Sequence, residues 1–134
     1  MHSWSADSTA SPRAAWALLA RPSAWPEWAP HLRGAWGLGD RGGEVREGAA
    51  GAARLLGVVP VPVRIVTVRP GRSWTWRVGA VVEMDHRVRP RAGGGCTVAI
   101  DLRAPAPLEA ALAVSYGPVI QATLRRLAAR AATR

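Results

Sequence analysis

The sequence predicts an α+β domain: an antiparallel sheet of about seven strands wrapped around a long C-terminal helix, with two short helices after strand 1. Three observations carry this reading. From Leu32 to Arg103 the chain runs in short β-rich stretches broken by Gly and Pro, the texture of consecutive hairpins. In the last stretches the alternation is clean. Val82, Met84, His86 and Val88 face one way and Glu83, Asp85, Arg87 and Arg89 the other; Cys96, Val98, Ile100 and Leu102 oppose Thr97, Ala99, Asp101 and Arg103. One face is therefore expected to be buried and the other wet, as in a sheet covered on one side. The cover is the stretch from Leu108 to about Ala132, where Leu108, Leu112, Tyr116, Val119, Ile120, Thr123, Leu124 and Leu127 recur at helical spacing.

Each element has a local reason. Met1 to Ser5 alternates weakly and reads as a first strand. Ser11-Pro12 reads as an N-cap followed by proline at the first helical position, starting a helix through about Ala20 that Arg21-Pro22 ends. Pro22 to His31 carries three prolines and two tryptophans, so a bent corner with a turn or two of helix is expected. Strands follow at about Arg33 to Leu38, Ala52 to Leu56, Val61 to Arg69, Ser73 to Val78, Val81 to Arg89 and Cys96 to Arg103. The turns between them fall at Asp40 to Gly51, Gly57 to Pro60, Pro70-Gly71, near Gly79, and Pro90 to Gly95. In the last helix Gly117-Pro118 interrupts the stripe, and a proline there removes a hydrogen bond and is expected to bend the axis, leaving space over the sheet.

A length of 134 residues suits a single domain spanning residues 1–134. The lone Cys96 excludes an internal disulfide, and without a second Cys or a nearby His pair it excludes a zinc site as well; no metal and no cofactor is expected, in a reducing, cytoplasmic setting. The net charge of +9 comes from arginines alone, scattered along the chain, with a cluster only at Arg125, Arg126, Arg130 and Arg134. That pattern does not read as a nucleic-acid footprint. The apolar run Ala14 to Ala20 is short for a signal peptide, and no stretch approaches the ~18 apolar residues of a membrane span. No membrane insertion is expected, and the chain reads as a monomer or homodimer.

The element order, the corner Trp25-Pro26-Glu27-Trp28-Ala29-Pro30, the turn Val68-Arg69-Pro70-Gly71-Arg72 before Trp74-Thr75-Trp76, and Gly94-Gly95-Cys96-Thr97-Val98 at the last strand resemble the polyketide cyclase/dehydrase family of the START-like (SRPBCC, birch-pollen-allergen-like) superfamily. The resemblance covers nearly the whole chain and rests on structural turns and packing residues. Cys96 departs from it, since such a strand more often begins Gly-Thr. The resemblance implies a helix-grip fold with a deep apolar cavity between sheet and helix. Members include cyclases and aromatases acting on polyketide chains, lipid and quinone carriers, and proteins without assigned activity, so the fold alone does not choose among them.

The residues show no nucleophile elbow, no phosphate-binding loop and no lysine. Three polar side chains are catalytic candidates. His86 shares the buried face of its strand, either as an acid or base near pH 7 or as a satisfied core histidine. Tyr116 sits on the inner stripe, either donating to a ligand carbonyl or packed with its hydroxyl bonded to backbone. Arg64 lies on a strand apolar on both faces: inward it anchors a carboxylate or enolate oxygen, outward it avoids the cost of an unpaired buried charge. Glu83 and Asp85, sharing a wet face with Arg87 and Arg89, are explained by cross-strand salt bridges.

The chain has seven tryptophans, one tyrosine and no phenylalanine. Trp74 and Trp76 share a strand face, and on the inner face they line a cavity beside Met84. Trp25, Trp28 and Trp36 are candidates for its mouth, and Val63, Ile65 and Ile120 for its wall. For each of these, plain packing is the alternative. The chain is thus expected to bind a hydrophobic small molecule. It does so either as a cofactor-independent cyclase or dehydratase, or as a non-catalytic carrier or sensor; a partner-binding module using the basic helix end is the third reading.

Overall fold

The computed structural model describes residues 1–55 and 59–133. In chain order they form β1 (His2–Ser8), α1 (Pro12–Leu19), a 3-10 turn (Pro22–Ala24), α2 (Trp25–Trp28), β2 (Leu32–Trp36), β3 (Ala50–Leu55), β4 (Val59–Arg69), β5 (Ser73–Val78), β6 (Val82–Pro90), β7 (Cys96–Arg103) and α3 (Leu108–Ala132). The expected strand end at Leu56 and part of the turn expected at Gly57 to Pro60 lie outside the described residues. β2 to β7 follow one another as antiparallel neighbours, and β1 pairs with β7, giving the order β1-β7-β6-β5-β4-β3-β2. This is the helix-grip fold: an open antiparallel sheet curled over α3, with α1 and α2 inserted after β1.

The start of α1 follows from its residues. Ser11 is extended, its side-chain oxygen accepts from the Ala14 N–H at 3.2 Å, and Pro12 occupies the first helical position, where its missing N–H costs nothing. β1 runs to Ser8, three residues beyond the expected strand, because its whole length pairs with β7 from His2↔Leu102 to Ser8↔Cys96. Gly95 closes the preceding hairpin with φ +79°, and a Cβ there would lie 2.3 Å from the Ser8 carbonyl oxygen.

Two faces differ from the alternation. β4 carries a register shift between Ile65 and Thr67, so that Ile65 pairs with Trp76 and Val68 with Trp74. The bulge explains why both faces of this strand look apolar: Val63 and Ile65 are buried before it, and Val68 packs against the core after it. Arg64 is exposed, paired in register with Arg77 on the outer face. No single alternation holds along the whole strand, and Arg64 points outward, so it is not a cavity anchor.

On β7 the outer face is not uniformly wet. Ala99 and Asp101 are buried, because β7 lies between β1 and β6 and the Arg87 guanidinium covers Asp101, donating to it at 2.9 Å. The outer face of β6 is held by the expected cross-strand pairs: Glu83 meets Arg77 at 2.8 Å and Asp85 meets Arg103 at 3.5 Å, while Thr75 donates to Asp85.

α3 continues through Pro118 as one helix. At Gly117 the helix passes close to β1, and a Cβ there would sit 2.8 Å from the Trp4 ring, which would have to shift. Its buried residues in the second half are Ile120, Thr123, Leu124, Leu127, Ala128 and Ala131. Leu108 and Val119, counted on the apolar stripe from spacing, are exposed. Leu108 is the first residue of the helix, and Val119 is displaced by about 100° from the neighbouring stripe residue Ile120.

Candidate functional site

The end of α1 organises the aromatic residues. A helix leaves its last carbonyls without intrahelical partners. Here indoles satisfy two of them: Trp25 Nε1 and Trp74 Nε1 donate to the Leu19 carbonyl at 2.9 and 3.0 Å, and Trp28 Nε1 donates to the Leu18 carbonyl at 3.0 Å. Trp25 reaches back because the Pro22–Ala24 turn reverses the chain directly after α1, while Trp74 arrives from the sheet. The Trp25 and Trp74 rings stack at 5.2 Å, and Trp76 meets both edge-on at 5.4 and 5.5 Å. Offset and T-shaped contacts of this kind add about 0.5–1.5 kcal/mol per pair beyond area burial.

His86 completes this cluster. It faces Trp74 across the β5–β6 pair, and the two rings stack with centroids 3.8 Å apart. Its Nδ1–H donates to the Trp74 carbonyl at 3.3 Å. Only 3 % of the residue is exposed, and burial pushes its pKa down to about 3, against smaller upward pulls from that hydrogen bond and from Asp101. At neutral pH it is an uncharged ring in an aromatic stack.

Two hollows adjoin the cluster. One, of about 30 Å³, is bounded by residues including Trp25, Trp74, His86, Ile120 and Thr123; it has room for about one or two water molecules. The other, of about 210 Å³, lies under the first half of α3, bounded by His31, Trp76, Val78, Val82, Met84, Leu102, Leu112 and Tyr116. His31, Trp76, Met84 and Tyr116 border both. The wall of the larger hollow is almost wholly apolar, and no Arg, Asp or Glu stands among the described residues that line it.

Its polar side chains are three. The Tyr116 hydroxyl and His31 Nε2 are hydrogen-bonded at 2.5 Å, their rings edge to face at 5.6 Å. In one tautomer of His31 the phenol donates to Nε2; in the other, Nε2–H donates to the phenolic oxygen. Burial raises the Tyr116 pKa to about 12 and lowers that of His31, so both are neutral near pH 7. Trp76 is the third: it is 4 % exposed, and its indole N–H has no hydrogen-bond partner among the described residues.

The candidates named from sequence therefore separate. His86, Tyr116, Trp25, Trp28, Trp74, Trp76, Met84 and Ile120 are brought together around the two hollows. Val63 and Ile65 are buried but border neither of them. Arg64 lies on the opposite face of the sheet. Trp36 is 48 % exposed at the end of the edge strand β2, with the Arg54 guanidinium 5.7 Å over its ring, so it is a surface residue and not part of a pocket mouth. His31 was not among the candidates. It ends the proline-rich corner, where no periodicity marks a side chain as inward; only the fold brings it against Tyr116, eighty-five positions away.

Among the described residues no helix is long and apolar enough to cross a membrane. No curated protein matches the sequence. Among solved structures the chain is similar to a START superfamily protein from Mycobacterium smegmatis (TM-score 0.69, 15% identity, covering 98% of this chain and 97% of that one). It is similar also to a hypothetical protein from Helicobacter pylori (TM-score 0.76, 13% identity, 97% and 88% covered). A third likeness is to Ara h 8.0201 (TM-score 0.68, 13% identity, 99% and 97% covered). Identities this low bear on the fold alone, which is the START-like helix grip. The sequence itself carries the family, because residues 3–132 match the one described as "Polyketide cyclase / dehydrase and lipid transport". With that match over nearly its full length and the helix-grip fold in place, the chain belongs to the polyketide cyclase/dehydrase and lipid transport family.

Proposed function

We propose that the protein binds a hydrophobic small molecule in the hollow under the first half of α3, as a binding or carrier protein without chemistry of its own. The observation that carries this is the wall of that hollow: it is apolar, and its polar side chains are neutral at physiological pH. Transfer of apolar surface out of water supplies affinity at roughly 25 cal/mol per Å² buried, with a few polar groups fixing orientation. The cyclase reading asks for a group that exchanges a proton near neutral pH. His86, with its pKa near 3, and Tyr116, near 12, are both far from that range, and burial moves His31 away from it as well.

Native mass spectrometry of freshly purified protein tests the reading, followed by prolonged incubation of the protein with whatever ligand is released. A small apolar molecule that co-purifies and is recovered unchanged is the expected result. Its conversion to a cyclised or dehydrated product, abolished by Tyr116→Phe or His31→Ala, would restore the enzymatic reading.

A further inference from the structure

We infer that Trp76 sets the size of the ligand, and that this ligand is compact, uncharged and carries one hydrogen-bonding oxygen met by the Tyr116–His31 pair. The inference rests on the binding reading above and narrows it.

Size comes first. The hollow of about 210 Å³ is smaller than the ~300–1,000 Å³ usual for ligand pockets, and not much larger than an engineered cavity of about 150 Å³ that holds benzene. One or two fused rings fit; a long acyl chain or a four-ring skeleton does not. What truncates the space is the aromatic cluster, and Trp76 is its face toward the hollow, since it borders both this space and the small one around His86.

Trp76 is also the one member of the cluster that packing alone holds. Trp25, Trp28 and Trp74 are tied by their indole N–H groups to carbonyls at the end of α1, whereas the Trp76 N–H has no partner among the described residues. Shortening Trp76 therefore opens the wall without stripping a buried carbonyl of its hydrogen bond, which shortening Trp28 would do to Leu18.

Polarity follows from the lining. A carboxylate held against this wall would lose water and meet no cation among the described lining residues, a cost that disfavours anionic ligands. The Tyr116–His31 pair presents either a spare donor or a spare acceptor according to the His31 tautomer, so a phenol, an alcohol or a ketone finds a partner there.

Isothermal titration calorimetry with defined probes tests this. The wild-type protein is expected to bind 2-naphthol, to bind naphthalene about fivefold more weakly for want of one hydrogen bond, to bind 2-naphthoate at least tenfold more weakly than 2-naphthol, and to take neither oleate nor progesterone. Tyr116→Phe should erase the preference for 2-naphthol over naphthalene. Trp76→Ala should gain progesterone binding; should it fail to fold, Trp76→Leu carries the same comparison with a smaller opening. The inference is overturned if wild-type protein binds oleate, progesterone or 2-naphthoate as tightly as 2-naphthol, or if the Tyr116 and Trp76 variants keep the wild-type preferences. Failure of the wild type to bind any probe would overturn the binding reading itself, which separates the two failures.

Discussion

The two ends of the helix grip are built from the same strands and the same helix, yet one is filled and the other is hollow. Strands β5 and β6 and helix α3 run past both. At the filled end α1 and α2 add a second helical layer, Arg130 of α3 binds Glu27 of α2 at 3.0 Å, and the carbonyls closing α1 collect three indoles. At the other end α3 alone faces the sheet, with Leu112 and Tyr116 half-buried over empty space. The difference teaches that this pocket is not carved by special residues; it is what remains where a second layer of helix is missing. Trp25, Trp28 and Trp74 close the fold at one end, and of the large aromatics only Trp76 and Tyr116 reach the described wall of the hollow at the other.

The sharpest way to break this comparison is to truncate one residue at each end. Trp74→Ala should cost about 3–5 kcal/mol in urea unfolding, because it deletes a fully buried indole stacked on both Trp25 and His86. Equal losses from Trp74→Ala and from Leu112→Ala, which borders the hollow and is expected to cost only about 1 kcal/mol, would refute the division into a packed and an unpacked end.

Acid should attack the filled end next. His86 stays neutral in the folded protein down to about pH 3, while in the unfolded chain it takes up a proton near its ordinary 6.5. Protons therefore favour the unfolded state below that value: stability is full above about pH 6.5 and falls as the pH drops toward 3. Between pH 7.5 and 4.5 this one group should remove about 3 kcal/mol. His86→Phe keeps a ring in the stack and removes the titration, so its stability should fall less steeply over the same interval; parallel pH profiles for the two proteins would remove His86 from the acid response.

The smallest effect is expected outside both ends. Arg64→Ala, on the exposed face of β4, should change stability by no more than about 0.5 kcal/mol and leave probe binding unchanged. A loss of binding there would require the sheet's outer face to take part.

Much of the scaffold was legible because local signals agreed with it. Ser11-Pro12 capped a helix as its chemistry requires, and the period-two pattern of β6 placed Met84, His86 and Val88 inside. Where the pattern misled, a tertiary feature had intervened. The bulge after Ile65 exchanged the faces of β4, so two apolar faces were visible without a rule to choose between them. Asp101 was assigned to water by alternation and is buried by the Arg87 side chain crossing from the next strand. Trp36 was drawn toward the mouth of a pocket by its size, but it lies at the exposed end of the edge strand β2, under the Arg54 guanidinium. His31 carried no periodic signal at all, and its role as partner of Tyr116 depends on the corner that precedes β2.

By itself the sequence determined the order of elements, the inner faces of β6 and most of β7, and the excess of indole available to the core. These are matters of local geometry: side-chain periodicity, capping and turn chemistry act over a few residues. Only the tertiary structure decided that three of those indoles answer the unsatisfied carbonyls of α1, that Trp76 does not, and that the empty space lies beyond it. Those outcomes depend on which distant groups meet, and on how completely one layer of side chains fills the gap left by another.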